Sequence, residues 1–475
     1  MSYSFDKFFI DGSWCEPTQE RRIELVNPAT KSVFATVPEA APADVEAAVV
    51  AAAAAQPEWA AVKLQERADL MQRMLDVFKT HREAIIELEA QELGAPVSFG
   101  ASAHCDYQFV RIQSYIDIAR GMALEERFAK STVLREPVGV VACVTPWNYP
   151  LGQVVQKVVP ALLMGNTVVL KPSQHTPLTC YLMMDAFERA GFPKGVVNLI
   201  CGRGARLGNV LSRHPLVDMV SFTGSTQVGV QLAQAALEGV KRISLELGGK
   251  SPCIWLPGAD YEPWVPLLMN SIFLNSGQTC TALSRLLVHQ DDLPRVEALL
   301  RKHVADYPVG DPMDPAVRIG PVASKAQFDK VSEYIALGIK EGARLIAGGI
   351  PDEPENGYYV GPTIFSDVTN DMRIAREEIF GPVLCVLTYR TPEQAVAIAN
   401  DTPYGLNAMV CGPRQEAMAL ARRIKAGNVY INDAPRDVTA PFGGYKQSGI
   451  GREGGIAGLL EFTQYKAIFD RATLP

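Results

Sequence analysis

Phe273-Leu274-Asn275-Ser276-Gly277-Gln278-Thr279-Cys280 sets a lone thiol just past a glycine-containing turn and outside any long apolar element. A thiol so placed is within reach of a substrate. Upstream, the strand-like run 242–247 leads into Glu246-Leu247-Gly248-Gly249-Lys250-Ser251-Pro252, which delivers a carboxylate to a strand end beside a loop. A nucleophile and a potential base on different elements require a fold that brings them together.

Outward from these stretches, short apolar runs recur at 138–144, 167–170, 196–200, 220–222 and 243–247, with helix-length segments at 151–163 and 178–190 between them. Strands buried on both faces read as continuous apolar runs, and their alternation with helices implies a parallel sheet joined by crossovers. Beyond Pro252 the alternation repeats, with runs at 286–288, 383–387 and 429–431. Ahead of it, Phe8-Phe9-Ile10-Asp11-Gly12-Ser13-Trp14 reads as a hairpin around an Asp-Gly turn. From Pro42 the apolar spacing turns helical (Val45, Ala48, Val49, Ala52; Met71, Met74, Leu75, Phe78) until Gly94-Ala95-Pro96 stops it. The expected class is α/β, with two Rossmann-like parallel-sheet domains.

At 475 residues the chain exceeds one ordinary core. With 48% apolar and 20% charged residues and a net charge of −7 it has no basic excess for nucleic acid. Nine cysteines without a Cys-x-x-Cys pair point to reduced thiols, and an odd count leaves one unpaired in any case. The start Met1-Ser2-Tyr3-Ser4-Phe5-Asp6-Lys7 lacks a basic leader region, and no apolar stretch approaches the ~18 residues of a membrane span. A cytoplasmic protein without membrane or nucleic-acid partners is expected. The six histidines show no pair at ligand spacing, so no metal site is expected.

The two opening stretches resemble the aldehyde dehydrogenase superfamily, which carries its cysteine in Gly-Gln-x-Cys and a glutamate in Glu-Leu-Gly-Gly-Lys. Further segments are similar and in the same order: Pro146-Trp147-Asn148-Tyr149-Pro150, Lys171-Pro172-Ser173, Phe222-Thr223-Gly224-Ser225, Glu377-Glu378-Ile379-Phe380-Gly381-Pro382, and 441–449 from Pro441-Phe442 to Ser448-Gly449. The resemblance implies a cofactor-binding domain over 1–118 and 138–247 and a catalytic domain over 248–449. It further implies a small β element over 119–137 and 450–475 that pairs subunits into a homodimer or homotetramer.

The resemblance also implies roles. Cys280 attacks an aldehyde to give a thiohemiacetal, then a thioester, although most cysteines are only small buried hydrophobes. Asn148 completes an oxyanion hole, although alone it reads as a turn residue. Glu246 activates the hydrolytic water, although alone it reads as a solvated strand end; its presence favours release of a free acid over transfer to coenzyme A. Lys157 and Glu453 move protons behind the base, or form a structural ion pair. For NAD or NADP the implied contacts are Trp147, Lys171, Ser173, Gln174, Gly224, Ser225, Glu378 and Phe380; the last two also read as a charged helix end and a core aromatic. The channel is implied at Tyr149, Phe273, Leu274, Thr279, Thr281, Ala440 and Phe442. Leu274 stands where the succinic semialdehyde branch has Arg, so an uncharged aliphatic or aromatic aldehyde is expected, with Arg436 near the mouth leaving a carboxylated one as the alternative. Gln174 replaces the Glu of Lys-Pro-Ser-Glu that repels the NADP phosphate, so use of NADP is expected. A binding protein that kept the fold without activity would not need all these residues. A thiol redox protein would need a resolving cysteine near Cys280.

Overall fold

The structure is a computed structural model that describes residues 5–352 and 356–470. Residues 1–4 and 471–475, the ends of the expected domain assignment and the start of the N-terminal reading, lie outside the described residues.

Two α/β layers dominate. The first sheet has eight strands in the order Gly449–Ile450, Arg242–Glu246, Met219–Thr223, Val140–Val144, Thr167–Lys171, Val197–Leu199, Phe8–Ile10, Ser13–Cys15. The five from Arg242–Glu246 to Val197–Leu199 are mutually parallel. Val140–Val144 and Thr167–Lys171 are buried at every position, which is why their sequence runs apolar without alternation. Helix Pro150–Leu163 packs beside them with every residue buried. The expected hairpin forms: Ile10 faces Ser13, and Asp11 and Gly12 turn the chain with φ of 51° and 69°.

The second sheet has seven strands, Arg344–Ala347, Thr363–Ser366, Val383–Tyr389, Arg285–His289, Pro252–Trp255, Asn407–Cys411 and Asn428–Ile431. All neighbours are parallel except the edge strand Arg344–Ala347. A third, antiparallel sheet joins Glu125–Phe128, Ser131–Pro137 and Thr463–Ile468 within one chain. Phe128, Tyr465 and Phe469 stand exposed on or beside it.

Register positions the chemistry. Val144 lies level with Lys171 and Phe222, and Thr223 with Glu246, so the carboxyl ends of four neighbouring strands are flush. Residues 146–149, 172–174, 224–225 and 247–249 therefore leave the first sheet along one edge, where open α/β sheets take their ligands. The loops entering the amino ends of Arg285–His289 and Val383–Tyr389 carry Cys280 and Glu378, and they close over that edge from the second sheet.

Candidate active site

Helix Val265–Phe273 ends in a backbone reversal: Asn275, Ser276 and Gly277 all take positive φ (55°, 54°, 70°). Gly277 tolerates no side chain, since a Cβ would sit 2.2 Å from the Gly381 backbone. Gln278 pins the turn by accepting from the Ala323 N–H at 2.8 Å and donating to the Asn275 carbonyl at 3.1 Å. Cys280 emerges from this locked loop half-buried. Burial pushes its thiol up to about 12, with help from the charges of Glu378 and Glu246.

Two cavities meet at this residue. One, of about 350 Å³, is walled by Tyr149, Thr279, Thr281, Phe442 and side chains of helices Tyr107–Arg120 and Pro150–Leu163. The other, of about 180 Å³, is walled by Trp147, Asn148, Gly224, Ser225, Glu378 and Phe380 among others. Cys280 is the one residue common to both walls.

Asn148 donates from its side-chain amide to the Gln278 carbonyl at 2.9 Å, which leaves the second amide N–H free beside the thiol loop. In return Asn275 donates to the Asn148 carbonyl at 2.8 Å, so the two loops hold each other. Tyr149 shares a 3.0 Å hydrogen bond with the Thr279 hydroxyl and stacks on His104 at 4.6 Å.

Glu246 is buried, and neither carboxylate oxygen has a hydrogen-bond partner. Burial, and secondly the Glu453 charge, raise its pKa well above the usual carboxylate range, while the Lys157 ammonium opposes them. Lys157 and Glu453 form a buried pair, Nζ to Oε1 at 2.6 Å, and the other Glu453 oxygen is left without a partner.

The walls of the second cavity suit part of a dinucleotide. Glu378 accepts from the Gly249 N–H at 2.9 Å and is half-buried, and a Cβ on Gly248 would collide with its carboxylate at 2.4 Å. Ser225 caps the twelve-residue helix Thr226–Leu237, whose start suits a phosphate. Phe380 takes φ of 62°, uncommon for a bulky residue, and meets Trp147 edge-on at 5.4 Å. Lys171 ends the strand Thr167–Lys171, and Ser173 and Gln174 follow it along the same edge, but none of the three lines either cavity. Burial brings the Lys171 ammonium down to about 8; Ser173 caps the His175 N–H; Gln174 is half-exposed.

Not every expected wall residue arrives. Phe273 is fully buried against the Tyr307 ring, and Leu274 packs on the same core, because both precede the reversal and face the second sheet. Ala440 lines neither cavity. Their places are taken by Tyr107, Gln108, Arg111, Gln153 and Gln156. A signal existed: besides Lys157, only Gln153 and Gln156 interrupt an apolar helix, three residues apart on one face. In the second cavity, Gln327 and Lys330 were likewise missed. Among the described residues no cluster of metal-binding side chains occurs.

A model of the Aldehyde dehydrogenase family matches residues 14–468. A 3-succinoylsemialdehyde-pyridine dehydrogenase of a Pseudomonas species is 42% identical, covering 98% of both chains. Aldehyde dehydrogenase C of Pseudomonas syringae, solved as a mutant with NAD+ and octanal, is 43% identical with a TM-score of 0.96, covering 98% of this chain and 96% of that one. A Mycobacterium tuberculosis aldehyde dehydrogenase, solved with NAD+, is 40% identical with a TM-score of 0.96, covering 98% of each. The flush strand ends, the thiol between two cavities and these likenesses along the chain lead to one conclusion: the chain belongs to the aldehyde dehydrogenase family and is an NAD(P)-dependent oxidoreductase acting on aldehydes.

Proposed function

We propose that the chain oxidises an aldehyde to the free carboxylic acid by covalent catalysis at Cys280. The observation that carries this reading is the position of that thiol, alone in touching both cavities. The aldehyde enters the larger one, and the sulphur, its proton passed to water, attacks the carbonyl carbon. The new oxyanion is held by the free amide N–H of Asn148 together with the Cys280 backbone N–H. The nicotinamide of NAD or NADP, bound in the smaller cavity against Glu378, Phe380 and Trp147, supplies a hydride acceptor. Water then cleaves the thioester, and Glu246, made a stronger base by its burial, deprotonates that water. Lys157 and Glu453 stand behind it as the relay toward solvent. Reduced cofactor and free acid should form in equal amounts from aldehyde without coenzyme A. A requirement for coenzyme A would overturn the hydrolytic reading.

The Lys157 charge lowers the Glu246 pKa, so Lys157→Met removes an opposing influence. The base is active only when deprotonated, and its folded pKa rises further in the variant. The alkaline-going limb of thioester hydrolysis should therefore shift to higher pH, as read from turnover against pH; an unshifted limb would reduce the pair to scaffolding.

The half-exposed Gln174, with Lys171 nearby in the chain, supports use of NADP as well as NAD. Gln174→Glu should lower the NADP to NAD ratio of kcat/KM by at least about tenfold through like-charge repulsion. An equal ratio in both proteins would remove Gln174 from cofactor choice.

The body of the substrate is aliphatic or aromatic, since Tyr149, Phe99 and Phe442 wall the cavity. Nine free thiols support a reducing, cytoplasmic setting. No helix among the described residues is long and apolar enough to cross a membrane. The division proposed is cofactor-binding over 1–118 and 138–247, catalytic over 248–449, and oligomerising over 119–137 and 450–475. The exposed edge of the three-stranded sheet supports pairing into a homodimer or homotetramer, measurable by light scattering.

A further inference from the structure

Part of the larger cavity's wall is polar, and three of its groups have no hydrogen-bond partner. Tyr107 Oη, Gln153 Oε1 and Gln156 Oε1 are buried without hydrogen-bond partners. Both glutamines are more than nine-tenths buried. The tyrosine hydroxyl can donate to an acceptor on a ligand, whereas the two amide oxygens accept from a donor such as water. Beside them lies Arg111, buried, with Nη1 donating to Gln108 Oε1 at 2.7 Å and to the Gly152 carbonyl at 3.5 Å. Its Nε and Nη2 bond to no described residue, and its guanidinium rests over the Tyr107 ring at 4.9 Å.

No carboxylate balances this cation. Neither Asp nor Glu lines the cavity, and Arg111 forms no ion pair among the described residues. Glu453, the carboxylate whose field reaches it, is already held by Lys157 at 2.6 Å. Burial, and next the charge of Arg436, pull Arg111 down to about 10, which still leaves it cationic at neutral pH. Arg436 adds a second positive charge, over the Phe442 ring at 4.9 Å. A buried cation without a counter-charge is costly, and a bidentate carboxylate is the partner its planar fork fits.

We propose that the substrate is an aldehyde with a carboxylate at its far end, held by Arg111 and the Tyr107 hydroxyl, with the amides of Gln153 and Gln156 beside it. The inference rests on the aldehyde-oxidising reading and adds a charge to the aliphatic or aromatic body proposed there. It takes up the carboxylated alternative to the uncharged end expected from Leu274, with the clamp on a different helix.

The test compares matched pairs, adipic semialdehyde with hexanal and para-carboxybenzaldehyde with para-methylbenzaldehyde, in wild type, Arg111→Met and Arg111→Lys. Wild type should favour the carboxylated member by at least about tenfold in kcat/KM, chiefly through KM. Arg111→Met should abolish that preference, and Arg111→Lys should restore part of it. Should Arg111→Met fail to fold, calorimetry on wild type decides: adipate should bind at least about tenfold tighter than hexanoate. Equal or weaker binding of adipate, or a preference for the alkyl aldehydes that survives in Arg111→Met, would overturn the clamp. Oxidation of hexanal without preference would sink the clamp alone, whereas inertness toward every aldehyde would sink the reading on which it rests.

Discussion

Cys280→Ala is expected to lose aldehyde-dependent formation of reduced cofactor by at least about 10⁴-fold while remaining folded. Hydride departs only from a tetrahedral carbon bonded to the sulphur, and no other thiol lines either cavity. Cys143, Cys253 and Cys385 are buried within strands and offer no substitute. Stability should change little, since the loop is held by Gln278, Asn275 and Asn148 and not by the sulphur. Absorbance of the reduced nicotinamide and a melting curve measure the two effects. A folded Cys280→Ala protein with near-native turnover would remove covalent catalysis altogether.

Glu246→Gln should lower steady turnover by about 10²- to 10⁴-fold and yet leave a rapid burst of reduced cofactor approaching one equivalent per active site. Attack and hydride loss precede the step that needs a base, so an amide stalls the enzyme as thioester. Folding should be unharmed, because an isosteric neutral group replaces a buried carboxylate whose oxygens have no partner. Rapid mixing with absorbance detection separates burst from steady state. Native steady turnover would show that another base serves the water, and disappearance of the burst would assign Glu246 to thiol activation instead.

How far the chain could be read without coordinates differs by element. Continuous apolar runs such as 140–144 and 167–170 declared strands buried on both faces, and Asp11-Gly12 declared its turn, because these patterns follow from local backbone geometry. The edge strand Arg344–Ala347 went unread, since half its residues are exposed and its partner lies elsewhere in the chain. Gly277 ahead of Cys280 and the glycines after Glu246 marked the thiol and the carboxylate as loop-borne. That much is set by residue type and neighbour alone.

Other properties exist only after packing. Lys157 and Glu453 stand 296 residues apart, and only the docking of residues 449–462 on the first sheet gives them their 2.6 Å contact. Whether Glu246 is a solvated strand end or a buried carboxylate was undecidable from its neighbours, because desolvation depends on what covers it. Phe273 and Leu274 read as channel residues through their closeness in sequence to Cys280, yet three successive positive φ angles turn the chain between them and the thiol, so they face the core. The polar wall of Arg111, Gln153 and Gln156 arises where two successive helices, separated by three strands, face one cavity. By itself the sequence determined the α/β class, the thiol and the strand-end carboxylate, since these rest on periodicity and turn chemistry. Tertiary structure alone decided which side chains surround the substrate and which charges stay unpaired, since burial and long-range contact are properties of the packed whole.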